Sequence, residues 1–566
     1  MSCRARRCLL GVLALVAGLA PAAGAAQASD GRPGWAGLET LAGLHGEGLQ
    51  RGAIADLRAF VTGHADEGAV YGTTAAPVKP AHGNAHTLLT EDVDGDGDAE
   101  LIQARGTAAK PKLGVVDGAT GALLWEQQQQ TYAFGVAAVP DADGADVLRF
   151  ANGTAARIDG RTGTTHWTRS LPVGNQGAGS WGVVESGDGW ELVVGAWDIP
   201  VFQLVDLHVE FWSLDTGAVT GTAVVTGEGT FPTIAPAGDL DGDGVGDLLG
   251  FEPLYTFAVA GAGTLSALTA RGASRAWSAP VAQELYDNTY VIAAPDVTGD
   301  GTSDAVLLSE FLGADGQTPT DQAIVVVDGE GGAAAGLRPV VSVDLQHVAH
   351  TVVSPGDLNG DGGADLIFSG WGVNVAEGVG VVVLEAVGKG GRLWSSTPSY
   401  PATSDFVTGW WPQAGDLDGD GAQDALVLLG SDAQGIDRAV AVSQRGGATI
   451  WTHDGLAGRF VIPALADGDG DGADDVLDDV AVVYEGFTKT VISMRMAAGR
   501  DRAVLWEAGV TLDIGKTPAL IEAHGGRLRP GGQADVVFSF NTQGGRRYVA
   551  AHDGASGEIR WRDPAA

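Results

Sequence analysis

Six short stretches of the chain carry carboxylates at a spacing suited to gripping a hard cation. One of them, residues 415–430, reads GDLDGDGAQDALVLLG and sets Asp416, Asp418, Asp420 and Asp424 at loop positions 1, 3, 5 and 9. Gly419 and Gly421 allow the backbone to curl tightly enough for these side chains to converge. The same spacing recurs in Asp92, Asp94, Asp96, Asp98 and Glu100, and in Asp239, Asp241, Asp243 and Asp247. It recurs again in Asp296, Thr298, Asp300 and Asp304, in Asp357, Asn359, Asp361 and Asp365, and in Asp467, Asp469, Asp471 and Asp475. Calcium takes about six to eight oxygen ligands. Carboxylates this crowded repel one another unless a cation neutralises them. Up to six structural Ca²⁺ ions are expected, with the third loop weakest because Thr298 replaces a carboxylate. Solvated Asp/Gly turns are the plainer alternative, but six copies of one spacing weigh against it.

An EF-hand loop would need an acidic residue at position 12 and a helix after it. Position 12 is Gln103, Gly250, Leu307, Phe368, Val427 or Asp478, so only the last fits. Each loop instead runs into a short apolar stretch, such as ALVLLG, with the length and composition of a buried strand. Decayed copies lie near Asp141–Asp146, Glu185–Glu191 and His524–Asp535, which makes nine units at a period of 44 to 61 residues. Between the loops recurs a turn followed by tryptophan, as in VVDGATGALLW (115–125) and RIDGRTGTTHW (157–167). Further copies end at Trp277, Trp394, Trp451, Trp506 and Trp561. Asp215 and Asp328 mark the turn in two units that lack the tryptophan. So regular a placement points to packing between units rather than to ligand contact.

Each period holds four strands. Four-stranded units repeated at 40 to 60 residues predict an all-β chain: a single β-propeller of antiparallel blades over residues 86–566. Nine units are counted, with eight or seven blades as alternatives. Residues 29–85 form a lead-in with apolar residues at near-helical spacing (Leu38, Leu41, Leu44, Ile54, Leu57, Phe60) and a Pro/Ala/Gly linker.

The loop GDLDGDGxxD followed by apolar residues resembles the FG-GAP repeat of integrin α-subunit propellers and of exported prokaryotic VCBS-type proteins. The resemblance covers most of residues 86–566. It implies Ca²⁺ at each loop, with the position-7 backbone carbonyl completing the ligand set, and a cell-surface or secreted adhesion module that binds protein or glycan. In integrins the metal loops lie opposite the ligand face. If that carries over, ligand contact falls to connections carrying Trp197, Tyr286, Tyr290, Trp371, Trp410 and Trp411. The alternative for these rings is packing between blades or within the channel.

The net charge of −38 disfavours nucleic acid and anionic membranes and favours cations or basic partners. Residues 1–28 read as an export signal. Arg4, Arg6 and Arg7 precede the apolar run 9–19, and Ala26-Gln27-Ala28 offers a cleavage site. Both cysteines, Cys3 and Cys8, fall inside it, so disulfides do not hold the remainder. No later segment is long and apolar enough to span a bilayer. The tryptophan turn also resembles the docking motif of quinoprotein dehydrogenases, which leaves a channel enzyme (oxidoreductase, lyase or hydrolase) as the second functional class. HExxH and GxSxG patterns are missing, and His347 and His350 lack zinc-helix spacing.

Overall fold

The computed structural model describes residues 86–562, apart from short internal stretches such as 173–176, 241–245, 283–289 and 341–349. The expected signal and helical lead-in lie outside the described residues, as do Asp241, Asp243 and Tyr286. No described residue is helical.

The seventh unit shows how sequence becomes blade. Its strands are Phe406–Trp411, Asp424–Ser431, Gly435–Ser443 and Thr449–Asp454, hydrogen-bonded in that order as an antiparallel meander. The second strand is apolar at every position from Ala425 to Leu429, and all five residues are buried. A strand covered on both faces reads as a continuous apolar run rather than an alternating one. The period of two divides that run between two cores. Leu426 and Leu428 join Met494, Met496 and Trp506 of the following unit. Ala425, Val427 and Leu429 join Ile367, Leu384 and Trp394 of the preceding one. The fourth strand lies at the edge, and of its residues Trp451 alone is buried.

Among the described residues, nine such meanders follow one another in the order of the chain. Two of them merge into one eight-stranded sheet through a parallel bridge between Glu228 and Leu254. In every meander the hairpin between third and fourth strands shifts register at the same place, for example between Ala441 and Val442 or between Ala551 and His552. The units are therefore one design repeated, including those whose tryptophan is lost. First strands meet first strands: His86–Glu91 lies against Phe134–Asp141, and Thr233–Pro236 lies against Gly177–Ser186 and Tyr290–Ala294.

The ring closes. His86–Glu91 also contacts Pro518–Gly526 and Asp535–Thr542 of the last unit. Leu101 and Val116 share a core with Leu528, Val537, Val549 and Ala551. Closure covers the two faces that an open array would leave exposed. The chain is an all-β propeller of four-stranded antiparallel sheets.

Candidate metal centres

The acidic loops sit between first and second strands, and their geometry follows one plan. The first aspartate organises the turn. Asp416 Oδ1 accepts from the amides of Gly419 (2.7 Å) and Asp420 (2.9 Å), and its Oδ2 accepts from Gly421 (2.8 Å). Asp467 repeats this with Gly470, Asp471 and Gly472, and Asp357 with Gly360, Asp361 and Gly362. Asp296 does so with Gly299, Asp300 and Gly301, and Asp92 with Gly95 and Gly97.

The ninth residue anchors the loop to the sheet. In all six loops its carboxylate accepts from the position-2 amide: Val93 to Glu100, Leu240 to Asp247, Val297 to Asp304, Leu358 to Asp365, Leu417 to Asp424 and Gly468 to Asp475. These carboxylates are buried. Burial pushes Glu100 and Asp424 up to about 8 and Asp475 up to about 7, outweighing their amide hydrogen bonds. Burial, and then neighbouring aspartates, also raise Asp94, Asp418 and Asp469 at position 3. A divalent cation among these groups would reverse both effects.

Among the described residues, three loops bring acidic oxygens together. One oxygen each from Asp92, Asp94 and Asp96 lies within 4.8 Å of the other two, and so it is with Asp416, Asp418 and Asp424 and with Asp467, Asp469 and Asp475. In the third loop Thr298 donates to Asp296 at 3.4 Å, and the Thr302 hydroxyl holds Asp300 below the usual carboxylate range. In the fourth, Asn359 donates its amide to Asp361 at 3.0 Å. In these loops two buried oxygens, Asp98 Oδ1 and Asp365 Oδ1, have no hydrogen-bond partner among the described residues. Hard, anionic, incompletely satisfied oxygens are a donor set that fits calcium. A fourth cluster, Asp146, Asp159 and His166, belongs to the decayed second unit, where Arg157 pairs with Asp146 at 2.6 Å.

Two connections were not legible in the sequence. First, four neighbouring pairs of loops are linked by backbone hydrogen bonds. The position-8 amide of one unit donates to the position-1 carbonyl of the unit before: Ala145 to Asp92, Ser303 to Asp239, Ala364 to Asp296 and Asp474 to Asp416. Second, the ninth carboxylate reaches the tryptophan turn of its own unit. Asp424 Oδ1 accepts from the Gln444 amide at 3.2 Å, and the Gln444 carbonyl accepts the indole N–H of Trp394 at 2.7 Å. Asp475, Gly499 and Trp451 repeat the relay at 3.3 and 2.6 Å. Acidic loop and blade contact thus share one buried carboxylate.

Of the six aromatic candidates, five lie on strands rather than in the connections expected for them. Trp197 is on Gly189–Val201, Tyr290 on Tyr290–Ala294, Trp371 on Asp365–Asn374, and Trp410 and Trp411 on Phe406–Trp411. The strands run further than the turn residues suggest because partner strands continue beside them, pairing Trp371 with Val382 and Trp410 with Val427.

No protein-family model matches the chain, and no curated protein matches it. Among solved structures, it is similar to a quinohemoprotein alcohol dehydrogenase of Pseudomonas putida HK5 (11% identity, 79% of this chain and 76% of that one, TM-score 0.31). It is also similar to the WD40 domain of SCAP from fission yeast (10% identity, 86% and 98%, TM-score 0.37). A third is the V. cholerae biofilm matrix protein Bap1 (14% identity, 80% and 83%, TM-score 0.23). At these values the fold assignment stands on strand order and ring closure. Among the described residues, no helix is long and apolar enough to cross a membrane.

Proposed function

We propose that this chain is an exported, calcium-stabilised propeller of the FG-GAP kind, acting as a binding or adhesion module for a protein or glycan. The supporting observation is the convergence of three acidic oxygens within 4.8 Å in each of three loops, the buried ninth carboxylate being one of the three in two of them. The ions are structural: they sit where strands turn, and their ligands also hold the blade contacts. The tryptophan turns are spent on packing, since six indoles donate to carbonyls of the next unit. They therefore carry no argument for a quinone cofactor. At millimolar Ca²⁺ each extracellular-type site contributes about 1–2 kcal/mol to the folded state.

The decisive experiment is calorimetric titration of EGTA-treated protein with Ca²⁺, followed by a glycan array and a cell-binding assay with and without the ion. Several bound ions per chain, a Tm that rises with Ca²⁺, and ion-dependent ligand capture are expected. A Tm indifferent to both EGTA and Ca²⁺ would sink the calcium reading.

A further inference from the structure

We propose that arginine takes the place of the divalent cation in two units whose acidic loops have decayed, so that the second and ninth units keep their shape without an ion. The proposal rests on the calcium reading of the intact loops. The ninth unit makes the case. Asp535 opens strand Asp535–Thr542 as Asp424 opens Asp424–Ser431, and it is 1% exposed. Its loop, RLRPGGQAD (527–535), holds no other acid, so it lacks the ligands for calcium. Six residues before Asp535, at the offset that separates Asp418 from Asp424, stands Arg529. Its Nε lies 3.0 Å from Asp535 Oδ2 and one terminal nitrogen 2.9 Å from Oδ1. The same nitrogen lies 3.3 Å from Asp553, the residue that opens the turn whose Gly554 carbonyl accepts the Trp506 indole. A planar guanidinium gripping a carboxylate by two parallel bonds supplies charge and geometry together.

The second unit reaches the same end from another strand. Arg157, on Thr154–Ile158, places Nε 2.6 Å from Asp146 Oδ2. Asp146 Oδ1 accepts from the Gly160 amide at 3.2 Å, and the Gly160 carbonyl accepts the Trp125 indole. Another Arg157 nitrogen bonds Asp215 at 2.9 Å. In both units the buried carboxylate stays tied to the docking turn, directly to Gly160 in the second and through Arg529 to Asp553 in the ninth, while the exchangeable charge is replaced by one tethered to the chain. The ninth unit is the one that closes the ring on the first. The seam is then held on that side at any calcium concentration.

The test uses full-length protein and the variants R529Q and R529Q/D535N. Tm is read in EGTA and in Ca²⁺, and bound ions are counted by calorimetry. R529Q is expected to lower Tm by several degrees, equally in both conditions, with the ion count unchanged; the double variant recovers most of the loss. An unchanged Tm in R529Q, or one bound ion fewer, overturns the proposal. If R529Q does not fold, the double variant decides: a folded double variant supports the proposal and an unfolded one overturns it. A parent that binds no Ca²⁺ sinks the calcium reading and with it the replacement of an ion, whereas a parent that binds Ca²⁺ with an unchanged Tm in R529Q sinks this proposal alone.

Discussion

The indole N–H of Trp561 donates to the carbonyl of Gly118 at 2.6 Å, across 443 positions of sequence. The ring of Trp561 lies flat against Gly121, where a Cβ would meet it at 2.8 Å and where φ is 71°. One tryptophan thereby joins the two ends of the propeller. Replacing it with alanine is expected to cost about 3 kcal/mol. Hydrogen exchange should show the loss first at Leu101, Val116 and Val537, which share the seam core. Gly121→Ala should loosen the same seam, since both the ring and the left-handed backbone exclude a side chain. Uniform loss of protection around the ring would argue against closure.

Removing a position-3 ligand should have opposite effects with and without the ion. Asp418 is raised by burial and by Asp420, so Asp418→Ala relieves repulsion in ion-free protein. In EGTA the variant should melt at or above the parent. In millimolar Ca²⁺ it should fall about 1–2 kcal/mol below it and bind one ion fewer. Calorimetric stoichiometry and thermal melts under the two conditions check this directly.

Asp478 predicts an acid sensitivity. Burial alone would raise it, but bonds from His453, Arg502 and Arg495 hold it well below the usual carboxylate range. A depressed folded pKa means stability that is present above the unfolded value of 3.8 and is lost as pH falls through the folded one. Asp478→Asn should cost about 3–5 kcal/mol at pH 7, the range for breaking a buried ion cluster. The gap to the parent should narrow below pH 4. Urea titrations at several pH values measure it, and a gap independent of pH would exclude the charge as its source.

Arg502 occupies the turn position that glycine holds in units one, two, three, seven and nine, and it is the one described non-glycine residue with positive φ, at 61°. Its guanidinium lies 5.6 Å from the Trp451 ring centre and pairs with Asp478. The side chain thus offsets the strain of its backbone. Arg502→Gly should relieve about 1 kcal/mol of strain and lose more than that through Asp478. A net loss is expected at pH 7, shrinking in acid. Stabilisation at pH 7 would show that the strain outweighs the pairing.

The repeat, the strand order within a unit and the acidic side chains that converge in three loops were legible because each is local. A 1-3-5-9 spacing, an apolar run and a turn before tryptophan are set by residues within one period. Packing of the tryptophans between units followed from their regular placement alone. The ends of the strands were harder to read, as Trp371 and Trp410 show, because pairing with a neighbouring strand outlasts the local turn signal.

Sequence by itself settled that this chain repeats a four-stranded unit and carries closely spaced carboxylates at six of its bends, since strand propensity and side-chain spacing act over a few residues. Only the tertiary structure decided which groups complete those bends. Gln444 and Gly499 reach the ninth carboxylate from the far hairpin, Ala145 and Asp474 arrive from the next unit, and Arg529 lies across Asp535. Trp561 finds Gly118 because the ring closes there. Contacts between distant segments depend on how sheets stack and how the circle shuts, and no local spacing records either.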